Sequence, residues 1–171
     1  MNVFESGLYI VSTPIGNLDD ITLRSLEVLK NSDIILCEDT RVSKKLLEKH
    51  GIVSRLSNYH EHNAKLVRPK IIDGLKAGAK IVLISDAGTP SISDPGYQLV
   101  KACIKNNLKI STVPGPTALI AALTISGLPT DSFYFGGFLP NKRNARRKKL
   151  LEKKELETTL IFYDSAKRLL D

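Results

Sequence analysis

Two aspartates, Asp86 and Asp94, bracket the stretch "SDAGTPSISDPG", and a second acidic pair, Glu38 and Asp39, opens "EDTR". Paired carboxylates near a hydroxyl-bearing substrate can take a proton or steady a developing charge. Glu38 and Asp39 are the candidate bases, with Arg41 beside them to position a substrate. The ordinary structural reading is an Asp-Thr pair capping the next helix, with Arg41 on the surface. Around these residues lie Gly and Pro in clusters: "STPIGNLDD" after Val11, and "PGPTA" after Val113. Glycine admits a close backbone approach, and proline holds a loop rigid. No G-x-G-x-x-G and no Walker sequence occurs in them. Prolines donate no N–H, so these loops suit an uncharged or zwitterionic ligand better than a polyphosphate. Ser12, Thr13, Thr89, Ser91 and Thr117 offer hydroxyls. "YHEHN" at 59–63 contains two histidines, which without a third ligand make a weak metal site, and no metal is expected. A turn into a helix capped by Asn63 is the alternative, and Tyr59 or His60 could stack on RNA bases.

Elements must place these loops together. Five apolar, β-branched runs recur at Leu8–Val11, Ile34–Cys37, Arg55–Tyr59, Ile81–Ile84 and Lys109–Val113. Helical patterns lie between them at Ile21–Lys30, Val42–His50, Asn63–Ala77 (where Pro69 should kink or restart the helix) and Pro95–Asn106. The last carries Asp94 as N-cap and Pro95 at the first helical position. Strands that read as continuous apolar runs, alternating with helices, imply an α/β domain with a mainly parallel five-stranded sheet and helices on both faces. Ligands bind beyond the carboxyl ends of such strands. All four loops follow a strand.

A second unit is expected after "VPGPT": residues 1–115 form the first α/β domain, and 116–171 a linker helix and an incomplete second one. Its helix Thr117–Ser126 precedes a strand Phe133–Phe138, a charged helix Asn141–Glu157, a strand Thr159–Tyr163 and a helix begun at Ser165. The run "NKRNARRKKLLEKK" holds Arg143, Arg146 and Arg147, and its acidic residues arrive only at its end. Most such runs are solvated helix faces; the unbalanced first turns make contact with a polyanion backbone, weakened steeply by salt, the other reading.

The 171 residues carry 25 Lys and Arg against 18 Asp and Glu, a net charge of +7. That makes an anionic partner plausible. Cys37 and Cys103 lie in apolar surroundings and read as buried thiols of a reducing compartment. The start "MNVFESG" has no signal-like run, and no apolar stretch is long enough to span a bilayer. A cytoplasmic protein without a membrane is expected.

The stretches "LYIVSTPIGNLDDITLRSLEVLKNSDIILCEDTR", "SDAGTPSISDPG", "VPGPTALIAALTISGLPTDSFYFGGFLP" and "TLIFYDSAKRL" resemble the ribosomal RNA small subunit methyltransferase I family of the tetrapyrrole methylase superfamily. That resemblance implies S-adenosylmethionine-dependent methylation of a cytidine 2′-hydroxyl in 16S rRNA of the 30S subunit. It further implies a homodimer, and a cofactor folded into a cleft between two domains. Pro14, Ile15 and Gly16 would approach the cofactor from the first loop. Asp86, Ala87, Gly88, Thr89 and Ile92 would line it from the second. Thr117 and Ala118 would do so from "PGPTA", with Tyr163 or Asp164 from "FYDS". Arg41, His60, Arg143, Arg146 and Arg147 would meet substrate. The sequence departs from other branches of the superfamily, which carry G-x-G-P-G where "STPIGN" stands and G-D-P where "GTP" stands. Members of the family are longer, so residues 1–171 alone are expected to bind the cofactor weakly and transfer no methyl. The alternatives are a methyltransferase acting on a tetrapyrrole-like small molecule and a non-catalytic RNA-binding module.

Overall fold

The computed structural model describes residues 4–168. The chain forms two compact units, Met1–Thr117 and Ala118–Asp171. In the first, strands β1 (Gly7–Val11), β2 (Ile34–Cys37), β3 (Leu56–Asn58), β4 (Lys80–Leu83) and β5 (Ile110–Val113) make one sheet in the order β3-β2-β4-β1-β5. Every neighbouring pair is parallel, with Leu8 opposite both Ile81 and Ile110, and Ile35 opposite both Val82 and Leu56. The expected fold class is the observed one.

Alternation along the strands divides the core in two. Tyr9, Val11, Ile35, Cys37 and Val82 face one side and pack with Val28 and Leu29 of helix α1 (Leu23–Lys30) and Leu46 and Leu47 of α2 (Thr40–Lys49). Leu8, Ile10, Leu36, Ile81 and Leu83 face the other. They meet Ile71, Ile72 and Leu75 of α3 (Glu61–Lys76) and Leu99 and Cys103 of α4 (Tyr97–Lys105). Because both faces are covered, the strands need no polar side. Each fully buried aliphatic side chain contributes roughly 1.5–3 kcal/mol through lost apolar hydration. The strand ends therefore stand on a stiff base.

The sequence reading misses several boundaries, for local reasons. Helix α1 starts two residues late, at Leu23, because the Thr22 hydroxyl accepts from the Ser25 N–H and caps it. Asp19 and Asp20 fall in a preceding 3₁₀ turn, Leu18–Asp20. Helix α3 begins at Glu61, so Asn63 sits in its first turn, where its side-chain oxygen accepts from the His60 N–H at 2.9 Å. Pro69 lies inside α3 and does not restart it. Asp94 and Pro95 are not the cap and first residue of α4. Gly96 takes the cap position at φ 146°, which places the helix start two residues later. Tyr59 is 1% exposed and packs in the core, so it cannot stack on a base.

In the second unit, β6 (Phe133–Phe138) and β7 (Thr159–Tyr163) pair in parallel, joined by α6 (Arg143–Leu151) and preceded by α5 (Ala118–Ile125). Helix α6 covers only part of the span 141–157, and Ser165 leads into a 3₁₀ turn at Ala166–Arg168. The rest of the helix expected from Ser165 lies outside the described residues. Edge-on aromatic pairs knit the unit: Phe135 and Phe138 each lie within about 5 Å of Tyr163.

Candidate functional site

Strands β1, β2, β4 and β5 run the same way, so the loops that follow them emerge at one edge of the first sheet. They interlock there. Thr13 and Gly88 exchange both backbone hydrogen bonds, at 2.9 and 3.0 Å. The Thr13 hydroxyl donates to the Ser85 carbonyl, and Ser85 Oγ donates to the Gly88 carbonyl. Thr89 Oγ1 pairs with Ser12 Oγ at 2.9 Å and donates to the Pro116 carbonyl at 3.1 Å. The "EDTR" loop joins through Asp39, whose N–H donates to Asp86 Oδ1 at 3.1 Å.

These contacts give several of the loop residues structural work. Gly88 is required by its φ of 82°. Its N–H and C=O both bond Thr13, so it fastens two loops. The hydroxyls of Ser12, Thr13 and Thr89 do the same. Several small or apolar residues remain open at this edge. Gly16, Ala87, Ile92 and Gly115 are exposed, and Ile15 is half-buried, while Pro14 is buried. Gly115 passes so close to the first loop that a Cβ there would lie 2.9 Å from Ser12 Cβ.

Beside this shelf is an open polar cavity of about 490 Å³, lined by Glu38, Asp39, Arg41, His60, His62 and Asp86. The structure thus brings His60 and Asp86, from two other loops, together with Glu38, Asp39 and Arg41 of "EDTR". Asp39 caps α2, accepting from the Arg41 N–H at 2.8 Å, and also binds the Arg41 guanidinium, with Nη2 at 2.6 Å. These bonds hold its carboxyl down at about 2. The helix-cap reading of "EDTR" is therefore realised. Glu38, though exposed, has its carboxyl pushed up, first by lost hydration and then by the Asp86 charge. The sequence reading missed the electrostatic role of Asp94. Partial burial raises its carboxyl to about 6, and the charges of Glu38 and Asp86 push the same way. Asp86 shares its loop, whereas Glu38 comes from another strand end, and no spacing in the sequence signals it. Among the described residues no group of three or more His, Cys, Asp or Glu side chains could hold a metal ion.

In the second unit, the Tyr163 hydroxyl accepts from the Leu119 N–H at 3.1 Å and so ties β7 to the first turn of α5, next to Ala118. Asp164 accepts from the Ser165 N–H at 2.7 Å and from Arg168 Nε at 2.8 Å, which holds its carboxyl below the usual range. Arg143 and Arg147 are exposed on α6, whereas Arg146 is 8% exposed and packs inward, and its charge acts on Asp164. Arg146 is thus not presented as the other two are. A helix shows alternate faces, and a run of like charge hides which face that is.

Residues 7–171 match the model of the Tetrapyrrole (Corrin/Porphyrin) Methylases. The chain belongs to the tetrapyrrole methylase family. It is similar to proteins named ribosomal RNA small subunit methyltransferase I. The one from Mesorhizobium japonicum is 54% identical over 165 residues, covering 96% of this chain and 56% of that protein. That of Rickettsia prowazekii is 55% identical over 169 residues, covering 99% and 60%. That of Thermotoga maritima is 47% identical, covering 95% and 73%. The chain spans 56% and 60% of the first two relatives. Among solved structures, diphthine synthase superposes with a TM-score of 0.72 at 14% identity, over 91% of this chain and 63% of that one. Uroporphyrin-III-C-methyltransferase from Thermus thermophilus gives 0.61 at 20% identity, over 86% and 74%. At those identities the likeness speaks for the tetrapyrrole methylase fold alone. Among the described residues no helix is long and apolar enough to cross a membrane.

Proposed function

We propose that this tetrapyrrole methylase chain takes part in S-adenosylmethionine-dependent methylation of small-subunit ribosomal RNA, at the 2′-hydroxyl of a cytidine. The observation that carries the reading is the set of interlocked loops at one sheet edge, in a chain about half identical to relatives bearing that name. The exposed shelf of Gly16, Ala87, Ile92 and Gly115, with Ile15 beside it, fits an uncharged base and a zwitterionic tail. It offers small residues and apolar surface, with no concentration of cations for a polyphosphate.

When bound, S-adenosylmethionine supplies a methyl group made electrophilic by the adjoining sulfonium. Pro14, Ile15, Gly16, Ala87, Ile92 and Thr117 would hold it at the shelf, with Gly88 and Thr89 fixing the loops around it. Asp86 would set the charge of the neighbouring cavity. Ala118, Tyr163 and Asp164 are proposed as the second unit's contribution. Arg41 and His60 would orient the ribose, and alignment of the hydroxyl with the methyl would supply much of the rate. Arg143 and Arg147 would contact phosphates of the 16S rRNA. A homodimer working in the cytoplasm completes the reading.

The test is tritiated methyl transfer from S-adenosylmethionine to 30S subunits and to free 16S rRNA, using the protein of natural length that carries this sequence. Label appearing at a cytidine ribose supports the proposal. Label absent from both substrates, or found only on a tetrapyrrole, overturns it.

A further inference from the structure

We propose that Glu38 is the group that takes the proton from the ribose hydroxyl, and that Asp39 is not. This assignment rests on the methyl-transfer reading above. Two adjacent carboxylates open "EDTR", and the fold gives them different work. Both oxygens of Asp39 are engaged, Oδ1 with the Arg41 N–H and Nε and Oδ2 with Nη2, so its lone pairs point into its own helix start and ion pair. Glu38 precedes the helix cap, and no hydrogen bond or ion pair holds its carboxylate among the described residues. It lines the cavity together with His60, His62, Arg41 and Asp86. That space is large enough to admit a nucleoside.

Two further features make Glu38 the better base. Asp86 is held beside it by the Asp39 N–H at 3.1 Å, so a negative charge is fixed near Glu38. Asp86, Glu61 and Asp39 disfavour its ionised form, His60 favours it, and lost hydration outweighs each of them. The result is a carboxyl above its ordinary 4.5, whereas Asp39 sits near 2. A stronger base removes a proton from a poor nucleophile more readily. His60 lines the same cavity, at the start of α3.

The step balances as follows. The O–H bond of the ribose breaks, and its proton passes to a Glu38 carboxylate oxygen. The oxygen's electron pair forms the O–CH₃ bond. The pair of the S–CH₃ bond stays on sulfur, leaving a neutral thioether, and Glu38 then releases its proton to water.

The experiment compares Glu38→Gln and Asp39→Asn in the natural-length protein by three readouts: methyl transfer to 30S subunits across pH, calorimetric binding of S-adenosylmethionine, and carbon NMR titration of the Glu38 carboxyl in the free protein. Glu38→Gln should lower transfer about 10²- to 10⁴-fold and remove the acidic limb of the pH profile. Cofactor affinity should stay within about threefold, because the carboxylate makes its contact with the ribose. Asn still caps a helix, so Asp39→Asn should lose less than about tenfold. In the free protein the Glu38 carboxyl should titrate above 4.5. Glu38→Gln transferring within about tenfold of the wild type, or a Glu38 carboxyl titrating at or below its ordinary value, overturns the assignment. A wild-type protein that transfers nothing to ribosomal RNA overturns the underlying reading as well, an outcome distinct from an active Glu38→Gln variant.

Discussion

Individual carboxylates in this chain differ more by environment than by type. Asp39 is bound by a guanidinium and a backbone N–H and stays ionised, while Asp94 is partly desolvated among other acids. The Asp94 carboxyl rises from an ordinary 3.8 to about 6, so the folded chain holds that proton more tightly than the unfolded chain. The stability it contributes is therefore complete below pH about 4 and is lost as pH rises through about 6. Replacing Asp94 with Asn removes that dependence. In urea titrations, the stability of Asp94→Asn relative to wild type should climb between pH 4 and 6 and level off above it. A difference that stays constant over that range would sink the claim. Asp86 shares the loop of Asp94, but Glu38 reaches it only through the adjacency of β2 and β4, which no local pattern announces.

At the level of elements, the start of α4 shows how closely a loop can be set. Gly96 has φ 146°, and a Cβ there would meet Ser91 Oγ at 2.1 Å and Leu83 Cδ2 at 2.9 Å. Gly78 also has positive φ, 92°, but faces open space. Alanine at Gly78 pays only for backbone conformation, about 1–2 kcal/mol. Alanine at Gly96 must also displace the loop and a core leucine. It should cost more than Gly78→Ala by about 1–3 kcal/mol in urea denaturation monitored by circular dichroism. Equal losses for the two would mean that the Ser91 turn gives way freely. The strands themselves were legible because continuous apolar runs have few other uses. The helix starts were not: Thr22, His60 and Gly96 took cap positions that stronger-looking signals nearby, such as Asp94-Pro95, suggested would lie elsewhere. Capping is decided by which backbone N–H groups lack partners once the helix is docked.

For the molecule as a whole, charge governs how an RNA would be met. The excess of basic residues includes Arg143 and Arg147, both exposed, and excludes Arg146, which is buried. Phosphate contacts release counterions, so replacing Arg143 and Arg147 together with Gln should flatten the salt dependence of RNA binding. The slope of log K against log salt should fall by about 1–2, as filter-binding titrations would measure. An unchanged slope would remove α6 from the RNA interface.

The residue pattern by itself determined the alternation of strand and helix, the parallel sheet, and the fact that four loops rich in Gly, Pro and acid follow strands. Local apolar periodicity suffices for that, since parallel strands must place their following loops on one edge. Only the tertiary structure decided what those loops do to one another. Strand order put β4 between β2 and β1, and so brought Gly88 to Thr13 and Asp86 to the Asp39 N–H. Hydrogen bonds and field effects between residues some fifty to eighty positions apart depend on that order. No short-range pattern encodes it.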